Sequence, residues 1–203
     1  MRTYGDRCGV ARALDLVGDR WALLVVRELL LGPKRFTDLR TGLRTIGPDV
    51  LSQRLRELED AGVVRRRTLP PPAASRVYEL TERGQELEPV VLALGRWGSR
   101  APFPEGDATI GVDAFVIALK TLFDADADFE ASVELRLGAD RFHARVVDGR
   151  FEVARGTADR PDATIEGEPG PLAAALWHRQ PLDATIEGDR ELAARFLSLF
   201  PPP

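Results

Sequence analysis

The stretch KRFTDLRTGLRTIGPDVLSQRLRELEDAGVVRRRTLPPPAASR, residues 34–76, decides the fold of the first half of the chain. It reads as a short helix, a turn, a longer helix and a basic β-hairpin. In the longer helix Gly47 can act as the cap, and Pro48 suits the first turn, where no backbone donor is needed. Leu51, Leu55, Leu58 and Gly62 recur at helical spacing, so that side is expected to face a core. The opposite side carries Asp49, Ser52, Gln53 and Arg56, short polar groups followed by a guanidinium. A helix offering its N-terminal residues to base edges in a major groove needs such a face. An ordinary solvated face would look the same, and the segment after the helix tips the balance. Val63 and Val64 enter a strand, Arg65, Arg66 and Arg67 add consecutive positive charge, and Leu69 with Pro70, Pro71 and Pro72 makes a stiff tip. The chain returns through Arg76, Val77, Tyr78, Glu79 and Leu80. Two helices and an arginine-bearing hairpin make a winged helix-turn-helix, whose wing can lie along phosphates while the helix enters the groove.

Charge divides the chain in the same way. Residues 1–100 hold 18 Lys and Arg against 13 Asp and Glu, a net +5, while residues 101–203 hold 10 against 19, a net −9. The overall −4 hides this asymmetry, which places any polyanionic partner with the first half. The expected organisation is α+β: a winged helix-turn-helix domain over 1–100, a linker over 101–106 around Pro102, Pro104 and Gly106, and a small α+β domain over 107–203. The longest apolar stretch, residues 21–31, is too short to span a bilayer and contains Arg27 and Glu28, so no membrane partner is expected. No charged start precedes an apolar run, and a single cysteine, Cys8, cannot form an internal disulfide. A cytoplasmic location is the expectation.

Ahead of the motif, Val10, Ala11, Leu14 and Val17 share a helical spacing, and residues 21–31 form a helix apolar on most sides. Phe36 and Leu39 turn inward on the motif's first helix, leaving Arg35 and Arg40 to reach phosphates. The candidate DNA contacts are thus Arg35, Arg40, Pro48, Asp49, Ser52, Gln53, Arg56, Arg65, Arg66, Arg67 and Arg76. Beyond the hairpin Thr81 caps a helix bearing Leu87, Val90, Val91, Leu94 and Trp97, with a kink or a late start at Pro89. That stripe is long for a small domain. Leu87, Val91, Leu94 and Trp97 are read as a dimer interface, with simple core packing as the alternative.

Residues 8–99 resemble the HxlR family of winged-helix transcriptional regulators. The resemblance runs through CGVARALDLVGDRW (8–21), LLGPKRFTDL (30–39), VLSQRLREL (50–58) and YELTERG (78–84). It implies a homodimer joined by terminal helices and bound to a pseudo-palindromic operator in double-stranded DNA. Asp49 departs from it, since many members carry a basic or neutral residue there. A carboxylate suits a helix N-terminus but repels phosphate, so Asp49 is expected to accept from a cytosine amino group or to discriminate between sites.

The second half begins with a helix over 113–123. Three strands follow, with Val133, Leu135 and Leu137, then Phe142, Ala144 and Val146, then Phe151 and Val153 alternating against polar neighbours, the last two joined by the turn Asp148 and Gly149. A near-repeat closes the chain: DATIEG at 162–167 precedes a helix over 171–178, and DATIEG at 183–188 precedes one over 190–200. This order resembles the sterol carrier protein 2-like domain. The resemblance implies an apolar cavity between sheet and helices for a hydrophobic small molecule. Candidate lining residues are Phe115, Leu119, Phe142, Phe151, Leu176, Trp177, Phe196 and Phe200, with a plain filled core as the alternative.

Two histidines, His143 and His178, without metal-ligand spacing argue against a zinc or iron site. No phosphate loop or nucleophile elbow occurs, and no cofactor and no enzymatic activity are expected. Asp124, Asp126 and Asp128 lack the glycine and glutamate of a calcium loop and read as an acidic turn. Some relatives in the family sense oxidants through an N-terminal cysteine. Cys8 is therefore a redox candidate, with Arg7 and Arg12 able to lower its pKa; a small buried hydrophobe is the other reading. The favoured function is a DNA-binding regulator of the HxlR type, modulated by a hydrophobic molecule in the second domain. The alternatives are a lipid or metabolite carrier with a dimerising winged helix, and a thiol-based redox regulator.

Overall fold

Leu51, Leu55 and Leu58, three successive rungs of one helix, are fully buried, and the first half of the fold is assembled around them. The computed structural model describes residues 3–101, 109–124 and 128–203. It divides into two compact units, Met1–Val91 and Leu92–Pro203. The expected linker at 101–106 lies, apart from Ala101, outside the described residues, and the division falls ahead of it.

The first unit contains α1 (Gly9–Val17), α2 (Ala22–Leu29), α3 (Phe36–Gly42), α4 (Pro48–Asp60), β1 (Val64–Thr68), β2 (Arg76–Leu80), α5 (Glu82–Gln85) and the start of α6 (Glu88–Gly98). Helix α2 supplies Ala22, Val25, Val26 and Leu29, all at most 1% exposed, and α4 and α3 pack on it. Gly47 caps α4 with Pro48 in its first turn, as the sequence predicts. Gly62 is a correction. It does not face the core but stands just past the helix at φ +69°, where Gly62 N donates to Glu59 O and Val63 N to Leu58 O. This left-handed end satisfies two carbonyls and turns the chain into β1. Arg83 Nη1 donates to Ala61 O at the same end.

Strands β1 and β2 pair antiparallel, with Arg66 opposite Tyr78 and Arg67 opposite Val77. Lys34 and Tyr78 exchange backbone hydrogen bonds, which ties the entry of α3 to the wing. Beneath them Glu28 is buried and paired, with Lys34 Nζ at 2.6 Å and Arg27 Nη2 at 2.8 Å. A buried carboxylate is tolerated only with such partners. Gly42 makes room for it: a Cβ there would stand 2.2 Å from Glu28 Oε2. Past the wing, Thr81 Oγ1 accepts from Gly84 N and caps the short α5. Helix α6 then begins anew with Pro89 at its second position, so the late start holds rather than the kink.

The second unit holds α7 (Val112–Leu122), β3 (Ala131–Leu137), β4 (Asp140–Val147), β5 (Arg150–Arg155), β6 (Ala163–Gly167), α8 (Pro169–His178), β7 (Thr185–Gly188) and α9 (Arg190–Ser198). The sheet order is β5-β4-β3-β6-β7, antiparallel except for β3 with β6. Helix α8 starts two residues earlier than the sequence reading and α9 ends two earlier. Asp148 and Gly149 both have positive φ, as a two-residue hairpin turn requires. The two DATIEG segments pair antiparallel, with Ile165 opposite Ile186 and Ala163 opposite Gly188. Gly188, at φ +82°, sits so close that a Cβ would meet Asp162 O at 2.5 Å.

Alternation gives the sheet two unlike faces. Val133, Leu135, Leu137, Phe142, Ala144, Val146 and Ile165 are buried, and α9 packs against β3, β6 and β7. The other face is polar, centred on buried Glu134, which accepts from Arg136 Nε at 2.8 Å and from Ala158 N at 3.0 Å. No helix among the described residues is long and apolar enough to cross a membrane.

Candidate nucleic-acid interface

Helix α4 turns Leu51, Leu55 and Leu58 inward, and its 3.6-residue period leaves Asp49, Gln53 and Arg56 exposed with Ser52 half-buried between them. Pro48 is exposed at the start of this face. Asp49 occupies the first turn, where the helix dipole favours a carboxylate. Gln53 is already engaged within the protein: its Nε2 donates to Glu57 Oε1 at 3.0 Å. Arg54, pointing sideways, bonds both Glu57 and Asp19, the latter at 2.7 Å.

The arginines separate into two groups. Arg35 at the N-cap of α3, Arg40 on α3, Arg56 on α4 and Arg76 on β2 are exposed and form no ion pair among the described residues. The run Arg65, Arg66 and Arg67, read in the sequence as consecutive positive charge, is ion-paired throughout. Strand alternation sends Arg65 and Arg67 to one side, where both meet Glu79 at 2.8 and 3.1 Å. Arg66 goes to the other, 2.7 Å from Glu59 and with its guanidinium 5.6 Å from the Tyr78 ring centre. The wing is therefore less positive than its sequence. Glu57 lay within helix reach of Gln53 and Arg54 and could have been found from i to i+3 and i+4 spacing. Glu79 could not, because its partners depend on the register of β1 against β2.

The candidate dimer stripe also divides. Val91 is 8% exposed and packs inside the first unit, so it is removed from the surface set, and Leu87 is half-buried. Leu94 and Trp97 remain exposed, Trp97 at 74%, and Val90 joins them at positions 0, 4 and 7 of α6. Val10 and Leu14 on α1 are exposed apolar residues as well, whereas Ala11 is half-buried and Val17, the last of the stripe read there, is buried.

In the second unit Phe115, Leu119, Phe142, Phe196 and Phe200 are buried, while Phe151, Leu176 and Trp177 are partly exposed. Among the described residues six rings make contacts, in two separate groups. Phe196 and Phe200 are 5.2 Å apart, Phe151 and Phe200 5.1 Å, and Phe115 and Trp177 5.7 Å. Phe123, absent from the sequence set, completes the first cluster at 5.5 Å from Phe151. Trp177 Nε1 is buried and has no acceptor among the described residues.

Cys8 is exposed, which removes the buried-hydrophobe reading. It stands at the N-cap position of α1, where the backbone amides of Val10 and then Ala11 lower its thiol below the ordinary 9.0. The cause is the helix end rather than Arg7 and Arg12. No group of three metal-ligating side chains occurs among the described residues, and Asp126 lies outside them.

The HxlR-like helix-turn-helix profile matches residues 16–104. The chain is similar to the HTH-type transcriptional regulator YvaP of Bacillus subtilis, 36% identical over 43% of this chain and 82% of that protein. It is 37% identical to the HTH-type transcriptional regulator sll1512 of Synechocystis, over 47% of this chain and 70% of the other. Among solved structures, the redox regulator HypR in its oxidized form shares 34% identity over 48% of this chain and 100% of its own, with a TM-score of 0.45. With most of both relatives matched by the helices and wing described above, this chain belongs to the HxlR-like helix-turn-helix family of transcriptional regulators.

Proposed function

We propose that the chain binds operator DNA as a homodimer, reading bases with α4 and holding phosphates with α3 and the wing. The observation that carries this is the exposed face of Asp49, Ser52, Gln53 and Arg56, accompanied by the unpaired Arg35, Arg40 and Arg76. Free guanidinium groups displace counterions from the duplex, and polar groups at a helix N-terminus meet base edges. Paired half-sites one turn apart, about 34 Å, need two copies of α4, which a second chain supplies. Exposed apolar residues for that pairing are available on α6, at Val90, Leu94 and Trp97, and on α1, at Val10 and Leu14. Fluorescence anisotropy tests the reading: the chain's own promoter should bind at least a hundredfold more tightly than random duplex of equal length at physiological salt. Equal affinities would refute it.

The second unit is the effector domain in this reading, of sterol carrier protein 2-like type. Its succession of one helix, three antiparallel strands and two strand–helix pairs supports that assignment. The phenylalanine cluster favours a hydrophobic molecule, and the Trp177 indole favours one that also carries a hydrogen-bond acceptor. Mass spectrometry of natively purified protein identifies any such molecule; a protein that carries none and binds none refutes the assignment. A thiol-based redox response is the second reading, favoured by the exposed Cys8 at the N-terminus of α1.

A further inference from the structure

The contact between Gln53 and Glu57 settles which way the Gln53 amide faces. A carboxylate accepts hydrogen bonds, so the group turned to Glu57 at 3.0 Å is the Gln53 NH2, and the carbonyl oxygen points elsewhere. On a bare helix surface a pair at this spacing is weak and would not fix a side chain. Here Glu57 is itself anchored. Its second oxygen is held by Arg54, whose side chain is only 11% exposed and which also donates to Asp19, in the turn between α1 and α2, at 2.7 Å. The chain Asp19–Arg54–Glu57–Gln53 thus runs from the scaffold to the exposed reading face.

We propose that Glu57, anchored by Arg54 and Asp19, is a positioning residue that commits Gln53 to adenine over guanine. The proposal rests on the reading of α4 as the DNA-reading helix. A carboxamide has two N–H donors and one acceptor oxygen. With one N–H occupied by Glu57, a single N–H and the oxygen remain. Adenine shows the matching pair in the major groove, the N7 acceptor and the N6 amino donor. Guanine shows two acceptors, N7 and O6, which need two donors or else leave the Gln53 oxygen facing O6. Without the carboxylate the amide is free to turn and to offer both N–H groups, so guanine becomes acceptable.

The test is selection of bound duplexes from a randomised library by the full-length chain, followed by sequencing. The native protein, Gln53→Ala, Glu57→Ala and Asp19→Asn are compared. The native protein should enrich adenine at one position in each half-site. Glu57→Ala, which leaves no acceptor at that position, should lower the adenine-to-guanine ratio there about tenfold, as Gln53→Ala does, with other positions retained. Asp19→Asn, which loosens the anchor but keeps Glu57, should give a partial loss at the same position. An unchanged ratio in Glu57→Ala overturns the proposal, as does a loss spread over all positions, which marks a structural role. A Gln53→Ala variant that loses nothing also overturns it. A native protein that enriches no sequence overturns the reading of α4 as well.

Discussion

At Cys8 the thiolate is favoured by two backbone amides at the start of α1. Alkylation by iodoacetamide should therefore reach half-maximal rate at a lower pH in the folded protein than in urea. Arg12→Ala should leave that midpoint in place, because the donors are main-chain groups; a midpoint that rises with this variant would return the cause to the arginine. Glu134 offers the converse test, in the sheet. Arg136 donates to it, outweighing burial, with the amide of Ala158 assisting, and its pKa lies below the ordinary 4.5. A carboxylate lowered in this way adds stability above 4.5 that is lost as pH falls through its folded value. Glu134→Gln should cost about 1–3 kcal/mol at pH 7. The difference between the urea midpoints of variant and native protein should close as pH falls below 4.5, and a gap that is constant with pH would show that the charge does not matter.

Helix ends and strand register carry the next level. The left-handed cap at Gly62 is open to a side chain, with only Arg83 Nη1 at 4.0 Å, so the cost of Gly62→Ala is conformational, roughly 1–2 kcal/mol. Gly42→Ala is different, because its Cβ meets the buried Glu28 carboxylate and must push α3 from α2. It should destabilise by about 1–3 kcal/mol and also weaken DNA binding, as measured by thermal melting and anisotropy. On the wing, Arg66 forms an ion pair with Glu59 of α4, whereas Arg76 forms none among the described residues. Arg76→Ala should therefore reduce the slope of log K against log salt by about 1, and Arg66→Ala by less. Equal slopes would mean that the ion pair opens on DNA.

For the whole molecule, the prediction concerns the exposed apolar stripe of α6. Leu94→Glu would place a charge opposite a partner's apolar surface and should yield monomers with weak operator binding. Sedimentation velocity at micromolar concentration decides it: a native protein that sediments as a monomer removes the dimer. If the second unit is regulatory, its ligand must favour one dimer geometry, since equal affinity for two states shifts nothing. A tenfold change in operator affinity corresponds to about 1.4 kcal/mol of coupling, and the operator must alter ligand affinity by the same factor.

What the sequence alone determined was local and periodic. Three leucines at helical spacing, Gly47 with Pro48 before them, and a proline-tipped hairpin after them defined α4 and the wing, because periodicity and caps act over a few residues. The alternation in β3, β4 and β5 was legible for the same reason. Tertiary structure decided which charges are free. Arg65 and Arg67 look identical to Arg76 in the sequence, yet pairing with Glu79 comes only from strand register. Arg54 reads as one more cation, and the fold makes it the link between Asp19 and Glu57. Val91 and Leu94 share a stripe in sequence, but only the packing of the first unit shows that one is buried and the other exposed. Spacing assigns a residue to a face of its element, whereas burial and charge pairing depend on what the rest of the chain brings against that face.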